Sequence, residues 1–277
     1  MRPLLLAILA APLMAQPPES QPTQYEVYAL RYATIPDFQV SQLVAGADPE
    51  RKLDIAMMVW LLRAPGRNIL VDAGFYRPQF FKQWHVTDFV KPSEAIARLG
   101  LKPEDITDVI ITHMHWDHAD GLDLFPKAKI WVQKDELEYY AGQGWQSRRT
   151  HGGIDPEDVL AAVKLNVLGR VGLVQGDAQE ILSGISCFLG GKHTYASQFV
   201  TVRTAGGTVV LASDNMYLYE NLDKHVPIAA TLDAESNLRA QDRMRQLAGK
   251  PEWIIPGHDP AVMTRFPNPQ PGVARIQ

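Results

Sequence analysis

The stretch ITDVIITHMHWDHADG restricts the fold more than any other, because an apolar run leads directly into a cluster of histidines and aspartates. The run predicts a buried strand over residues 106–113. In extended chain alternate residues project to the same side, so His113 and His115 are expected on one face. Asp117 and His118 follow where the chain enters a short helix. Ligand-type residues at the carboxyl end of a buried strand indicate a metal site in an α/β protein.

Strand and helix patterns alternate along the rest of the chain, which predicts α/β layering. The helix pattern that begins at Pro92 has a stop signal at Gly100, and Asp135 is expected to open another helix. The remaining patterns predict strands at 25–32, 57–62, 68–74, 129–133, 171–175, 186–191, 198–204, 208–214 and 252–259, and a helix at 233–248.

Composition argues against a nucleic-acid-binding protein and against a disulfide-stabilised one. The chain has 277 residues, 46% of them hydrophobic, which is enough for a large core. A net charge of −4 without basic runs gives no sign of nucleic-acid binding. Cys187 is the single cysteine, so no intramolecular disulfide forms.

The amino terminus, MRPLLLAILAAPLMAQ, has the order of a secretory signal peptide: a basic start, a short apolar run and a small residue. We predict a signal peptide at 1–15, a Pro-rich leader at 16–24 and one domain over 25–277. The apolar run is shorter than the ~20 residues that span a membrane, so the mature chain is expected to be exported without stable membrane insertion.

Three further candidates lie far along the chain, each at the tip of an apolar strand. His193 precedes a predicted strand, Asp214 ends one and His258 follows one. Together with the first cluster they supply enough imidazoles and carboxylates for two zinc ions that share one carboxylate. The sequence therefore predicts two divalent metals per chain, with zinc favoured by the ligand types.

This set of motifs resembles the metallo-β-lactamase superfamily, and the VDAG turn that contains Asp72 resembles an early motif of that family. The resemblance covers roughly residues 25–266 and implies a four-layer αβ/βα sandwich with the metals along the edge where two sheets meet. It also implies the following roles: His113, His115 and His193 for the first metal, Asp117, His118 and His258 for the second, Asp214 as the bridge, and Asp72 as a support that does not touch metal.

Within the superfamily the chain is most similar to the N-acyl-homoserine lactonases, in IARLGLKPEDITDVIITHMHWDHADG and in LASDNMYLYENLDKHVPIA. The resemblance implies that Tyr217, three residues after Asp214, donates a hydrogen bond to the substrate carbonyl. A divalent metal ion lowers the pKa of bound water to about 7, and the resulting hydroxide favours attack on an ester or lactone. Asp117 is then the candidate general acid for the leaving alkoxide.

The sequence also departs from the family pattern. The segment GGKHTYASQ keeps His193 but lacks the second histidine of the proline-glycine-histidine-threonine-proline-glycine-histidine motif. Asp120 stands where many members have the first of two glycines. The segment 141–165, which contains His151, has no recognisable counterpart. These departures leave the metal ligands in place and leave the substrate open.

An acyl chain needs an apolar wall, and the segment after the Asp72 turn supplies aromatic candidates. Packing in the core explains the same side chains equally well, and Trp116 is open to both interpretations. The aromatic residues of the segment are Phe75, Tyr76, Phe80, Phe81 and Trp84.

The leading hypothesis is an exported dinuclear hydrolase of lactones or esters, most similar to those acting on N-acyl-homoserine lactones. One alternative is another hydrolase of the same fold, acting on a β-lactam, a thioester or another ester. A persulfide dioxygenase with one iron is the second alternative, and it would need only the first-metal ligands. The acyl length, the metal and the oligomeric state are left open by the sequence.

Overall fold

The computed structural model describes residues 22–147 and 151–277. The predicted signal peptide and most of the leader lie outside the described residues. The strands are β1 Glu26–Gln39, β2 Lys52–Ala64, β3 Arg67–Val71, β4 Asp108–Ile110, β5 Lys129–Gln133, β6 Val171–Val174, β7 Gln179–Leu182, β8 Ile185–Leu189, β9 Gln198–Thr204, β10 Gly207–Ser213, β11 Ile254–Pro256 and β12 Val273–Arg275. The helices are α1 Pro78–Trp84, α2 Pro92–Ala95, α3 Trp116–Ala119, α4 Lys134–Tyr140, α5 Pro156–Val167, α6 Tyr219–Asp223, α7 Ala234–Leu247 and α8 Val262–Arg265.

The strands form two sheets that pack face to face between helices. The first sheet has the order β12-β1-β2-β3-β4-β5-β6, and the second has the order β11-β10-β9-β8-β7. Strands β3 to β6 run parallel, as do β10 and β11, so the carboxyl ends of each set meet at one edge of its sheet. This architecture is the predicted four-layer sandwich.

Strand β2 shows why the central strands read as continuous apolar runs. Met57 and Val59 pack with the helices that cover the first sheet. Met58 and Trp60, on the opposite face, pack with residues of the second sheet. A strand that is buried on both faces needs apolar residues at every position rather than at alternate ones.

The predicted element boundaries differ from the structure at the metal motif. Strand β4 ends at Ile110, three residues before His113. The backbone N–H of Thr112 donates to the Asp72 carboxylate at 2.8 Å rather than to a neighbouring strand, so the ladder stops there. The prediction of an extended strand through His113 was therefore wrong, and the ligands lie on a loop and on α3.

Two predicted helix boundaries lie within one residue of those in the structure. The helix pattern from Pro92 does end at Gly100, whose φ of 75° only glycine adopts freely, but its last turn is a 3₁₀ helix. Helix α4 begins at Lys134, with Asp135 already inside its first turn, so the prediction that Asp135 opens this helix was wrong by one residue.

Helix α5 and strand β12 are among the elements that the sequence patterns did not predict. Helix α5 starts in the segment 141–165, where the Asp155 carboxylate caps the Glu157 N–H. Strand β12 pairs with β1 at the edge of the first sheet, so the strand before His258 is not the last one. Throughout the described ranges, every helix is too short or too polar to cross a membrane.

Candidate metal centre

The seven predicted ligands meet at the edge where the carboxyl ends of the two sheets come together. The loop between β4 and α3, together with α3 itself, brings four of them, and the loop between β8 and β9 brings His193. Asp214 directly follows β10, and His258 lies two residues after β11. The set forms two groups, in each of which the ligand atoms lie within 4.8 Å of one another: His113, His115, His193 and Asp214, and Asp117, His118, Asp214 and His258.

Asp214 belongs to both groups because its two carboxylate oxygens point in different directions. Its Oδ2 lies 3.3 Å from His193 Nε2 and 3.7 Å from His113 Nε2. Its Oδ1 lies 3.3 Å from His118 Nε2 and 3.0 Å from His258 Nε2. A carboxylate that divides its oxygens in this way can be shared between two cations.

The outer nitrogens of four of the five imidazoles contact oxygen atoms, whereas His115 turns its Nδ1 toward His193 Nε2 at 2.9 Å. A ring whose Nδ1–H donates to an oxygen turns the lone pair of Nε2 toward the centre, which is the tautomer that a metal requires. The Nδ1 contacts are His113 with Thr112 Oγ1 at 3.0 Å, His118 with Asp72 Oδ2 at 2.8 Å, His193 with the Ala230 carbonyl at 2.7 Å and His258 with the Ala56 carbonyl at 3.1 Å.

The inner atoms are those of a cation site. His113 Nε2, His118 Nε2 and Asp214 Oδ1 are buried and make no hydrogen bond to any described residue. Buried polar atoms normally have a partner, so converging atoms without one fit a bound ion. Burial lowers the pKa of His115 to about 3 and that of His113 well below its ordinary value, which keeps both rings in the neutral form that binds metal.

Asp72 supports the centre from behind. Its buried carboxylate accepts hydrogen bonds from the Thr112 N–H at 2.8 Å, from Ser213 Oγ at 3.1 Å and from His118 Nδ1 at 2.8 Å. Asp72 therefore fixes one imidazole and both flanking strand ends without reaching the inner atoms.

Comparison with known proteins agrees with this geometry. The family model described as metallo-beta-lactamase superfamily matches residues 58–258. The chain belongs to the metallo-β-lactamase superfamily.

Among curated proteins, the chain is 29% identical over 226 residues to an N-acyl homoserine lactonase of a Bacillus species, covering 76% of this chain and 84% of that protein. A solved structure of a quorum-quenching N-acyl homoserine lactone lactonase superposes with a TM-score of 0.72 at 23% identity, covering 88% and 96% of the two chains. A dizinc quorum-quenching lactonase, AidC, in complex with a product superposes with a TM-score of 0.64 at 14% identity, covering 92% and 91%. The family and these homologues make the protein a metal-dependent hydrolase.

A cavity of about 220 Å³ opens beside the second group of ligands. Trp84 and Trp116 line it, with their rings stacked at 5.7 Å between centroids, and Tyr217 lies on the same wall. Phe75 and Phe80 pack beneath Trp116 in the core instead. The aromatic segment thus divides its members between the cavity wall and the core.

A larger cavity, of about 540 Å³, lies elsewhere. Its lining includes Gln24, Arg63 and Arg275, and Arg275 is paired with Glu26 at 2.8 Å. It contains none of the grouped ligands, so the chemistry of the side chains, rather than the size of a cavity, identifies the site.

Asp120 stands where many members of the superfamily have a glycine, and its carboxylate anchors the segment before α1. Asp120 accepts hydrogen bonds from the backbone N–H groups of Tyr76 at 2.6 Å and Arg77 at 3.0 Å, and it pairs with the Arg77 guanidinium. The next glycine is retained for a steric reason, since a Cβ at Gly121 would lie 2.2 Å from the Ala73 carbonyl oxygen. The substitution ties the start of α1 to the metal motif.

The loop around His193, which lacks the second histidine of the family motif, makes several contacts of its own. Ser197 stands where the family motif has its second histidine, and its hydroxyl bonds to Asn215 Oδ1 at 3.1 Å. Tyr195 stacks on Tyr139 at 3.8 Å between ring centroids, and the Lys192 ammonium donates to the Tyr195 carbonyl at 2.8 Å. The loop that carries His193 is therefore held by new contacts.

Gly153, in the segment 141–165, lies against one of the predicted ligands, His115. The Gly153 carbonyl accepts from the Trp116 N–H at 3.0 Å, and a Cβ on Gly153 would lie 2.9 Å from the His115 ring. Gly153 has a φ of 82°, which also favours glycine. His151 packs against Trp145 at 4.8 Å between ring centroids and is outside both ligand groups.

We expect Arg77→Met to lower the free energy of unfolding by about 3 kcal/mol, because it removes the charged partner of the Asp120 carboxylate, whose side chain is 0% exposed and which then keeps only two backbone N–H donors. Arg77 also pairs with Asp155, Glu157 and Asp158, and burial raises the pKa of Asp158 to about 8. Asp120 is the most buried of these four carboxylates. Urea unfolding measures the loss. The control is Arg243→Met, since Arg243 pairs with Asp177 in a more exposed setting and should cost under about 1 kcal/mol. Equal losses in the two variants would contradict the anchoring role.

Proposed function

We propose that the protein is a dinuclear hydrolase that opens the ring of N-acyl-homoserine lactones. The observation that carries the proposal is the division of the two Asp214 oxygens between two ligand groups beside an aromatic-walled cavity. The lactonase relatives support the substrate class, and the nitrogen and oxygen ligands favour two zinc ions. Export after cleavage near Ala15 remains a prediction from the sequence.

When bound, the two ions supply an activated water and polarise the carbonyl group. The chain's own residues do the rest. Burial, with Asp214 nearby, raises the pKa of Tyr217 well above its ordinary value, so its hydroxyl stays protonated as a donor. Among the described residues, that hydroxyl makes only a long contact with His193 Nδ1, at 3.4 Å, so it is free to turn to a carbonyl oxygen in the cavity.

We assign to Asp117 the return of the proton of the attacking water to the leaving oxygen. It lines the cavity, and its Oδ2 lies 3.3 Å from His118 Nε2 and 3.6 Å from His258 Nε2. The apolar part of the substrate fits the wall formed by Met57, Trp84 and Trp116. Each methylene group buried there contributes about 0.8 kcal/mol, so kcat/KM is expected to rise with acyl length until the cavity is filled.

Two measurements on the purified protein test the proposal together. Elemental analysis is expected to give about two metal ions per chain, mainly zinc, because the ligands form two groups. The opening of butanoyl-, hexanoyl- and decanoyl-homoserine lactone by the protein is then monitored through the release of protons. One iron per chain with persulfide oxidation would overturn the dinuclear assignment. Two metals with turnover only of a β-lactam or another ester would overturn the substrate class alone.

We expect Tyr217→Phe to lower kcat/KM for these lactones about tenfold. Loss of one oxyanion donor typically costs ~10²–10³-fold, and sharing of that role with a metal ion reduces the effect. The metal content should not change. Tyr219→Phe is the matched control, because Tyr219 lies two residues away and its hydroxyl bonds to no described residue. Unchanged kinetics in Tyr217→Phe would assign Tyr217 to packing.

A further inference from the structure

Glu136 is a fully buried carboxylate near the metal centre that belongs to neither ligand group. It lies on α4 and is 0% exposed. Its Oε1 accepts from the Met114 N–H at 3.1 Å and from the Thr194 hydroxyl at 2.6 Å. Its Oε2 accepts from the Ala196 N–H at 2.6 Å. A buried carboxylate is costly unless hydrogen bonds compensate it, and here three donors do so.

Two of these donors are next to ligands of the first metal, and the third, Ala196, lies three residues after His193. Met114 lies between His113 and His115 in the chain, and Thr194 directly follows His193. The two loops come from different sheets, since one follows β4 and the other precedes β9. One side chain therefore joins the two segments that carry all three imidazoles of the first group.

The spacing between these segments matters for metal binding. The three imidazoles must be held in position before an ion arrives, because ordering them during binding lowers the affinity. The outer nitrogen of His193 contacts the Ala230 carbonyl at 2.7 Å and, at the longer distance of 3.4 Å, the Tyr217 hydroxyl. In the second group, by contrast, the Asp72 carboxylate contacts the imidazole of His118 directly. In the first group, His113 reaches Asp72 only through the Thr112 hydroxyl, and Glu136 restrains the two ligand loops through residues beside the ligands.

We propose that Glu136 is a positioning residue for the first metal: its hydrogen bonds to Met114, Thr194 and Ala196 set the distance between the two ligand loops. Burial raises the pKa of Glu136, and its hydrogen bonds oppose that shift. The inference concerns metal affinity and does not depend on which substrate the protein hydrolyses.

The test isolates the first group in the full chain. In a His258→Ala background the second group loses a ligand, so Co²⁺ titration followed by visible absorption reports mainly on the first. Glu136→Gln replaces one acceptor oxygen with an NH₂ group that faces an N–H donor. We expect a 10–100-fold loss of Co²⁺ affinity, typical for the loss of a partner behind a metal ligand, and an altered absorption spectrum. Glu138→Gln makes the same change on the exposed face of α4, where Glu138 pairs with Lys134, and should shift affinity less than about twofold.

A second pair of variants covers the case in which Glu136→Gln does not fold. Thr194→Val removes one of the three hydrogen bonds while keeping the shape of the side chain, and Thr194→Ser restores the hydroxyl. Weaker Co²⁺ binding in Thr194→Val that recovers in Thr194→Ser supports the proposal. Lower thermal stability of the metal-free variants with unchanged Co²⁺ affinity and spectrum would show that Glu136 serves only the packing of α4, and would overturn it.

Discussion

Replacing Asp214 with alanine is expected to remove the second metal ion and to lower kcat/KM at least ~100-fold, because a metal ion contributes several kcal/mol to catalysis of this kind. Asp214 Oδ2 faces the first ligand group and its Oδ1 faces the second. Without this carboxylate, two divalent cations would repel each other in a buried site with little negative charge between them.

The measurement combines elemental analysis after dialysis with lactone kinetics and circular dichroism. Asp214→Asn keeps one oxygen and the shape of the side chain, so it should retain the first metal better than the alanine variant does. Asp242→Ala, a change at an exposed carboxylate, is the control and should keep both metals and full activity. Two tightly held metals in Asp214→Ala would show that Asp214 is not the bridge.

Asp72→Ala is expected to lower the free energy of unfolding of the metal-free protein by about 3 kcal/mol, because it leaves buried donors without an acceptor. These donors are the N–H and hydroxyl of Thr112, the hydroxyl of Ser213 and the Nδ1–H of His118. Affinity for the second metal should fall a further 10–100-fold, because His118 loses its orientation.

Chemical unfolding with and without zinc separates the two effects, since a ligand stabilises only the folded state that binds it. Asp72 has a φ of 63°, a conformation that asparagine tolerates. Asp72→Asn keeps the backbone unstrained while weakening the acceptor, so it should lose less stability than alanine. If Asp72→Asn and Asp72→Ala were both as stable as the parent protein and bound zinc normally, the supporting role would be refuted.

The ligand motif could be predicted from the sequence because its information is local. His113, His115, Asp117 and His118 come directly after one apolar run. That run indicates the end of a buried strand without information from the rest of the chain. Strands such as β5 and β9 were likewise evident from short apolar stretches between turns. The resemblance to a known family then related the three distant ligands to this motif.

Other features depend on residues that meet only in the folded chain. The end of β4 at Ile110 could not be read locally, because Asp72, 40 positions from Thr112, takes the backbone donor that would continue the strand. Which aromatic residues face the cavity was undecided for the same reason. Trp84 and Phe80 lie on the same short helix and both stack on Trp116, yet Trp84 lines the cavity and Phe80 packs in the core.

The sequence by itself determined the ligand types, their local spacing and the layering of strands and helices, since these depend on periodicity and on side-chain chemistry. The tertiary structure decided how the ligands are held. Glu136 meets Thr194 across 58 positions, and Arg77 meets Asp120 across 43. Neither pair has a local pattern that marks it. A buried carboxylate finds its donors only after distant segments have packed, because the cost of leaving it unpaired arises only once water is excluded.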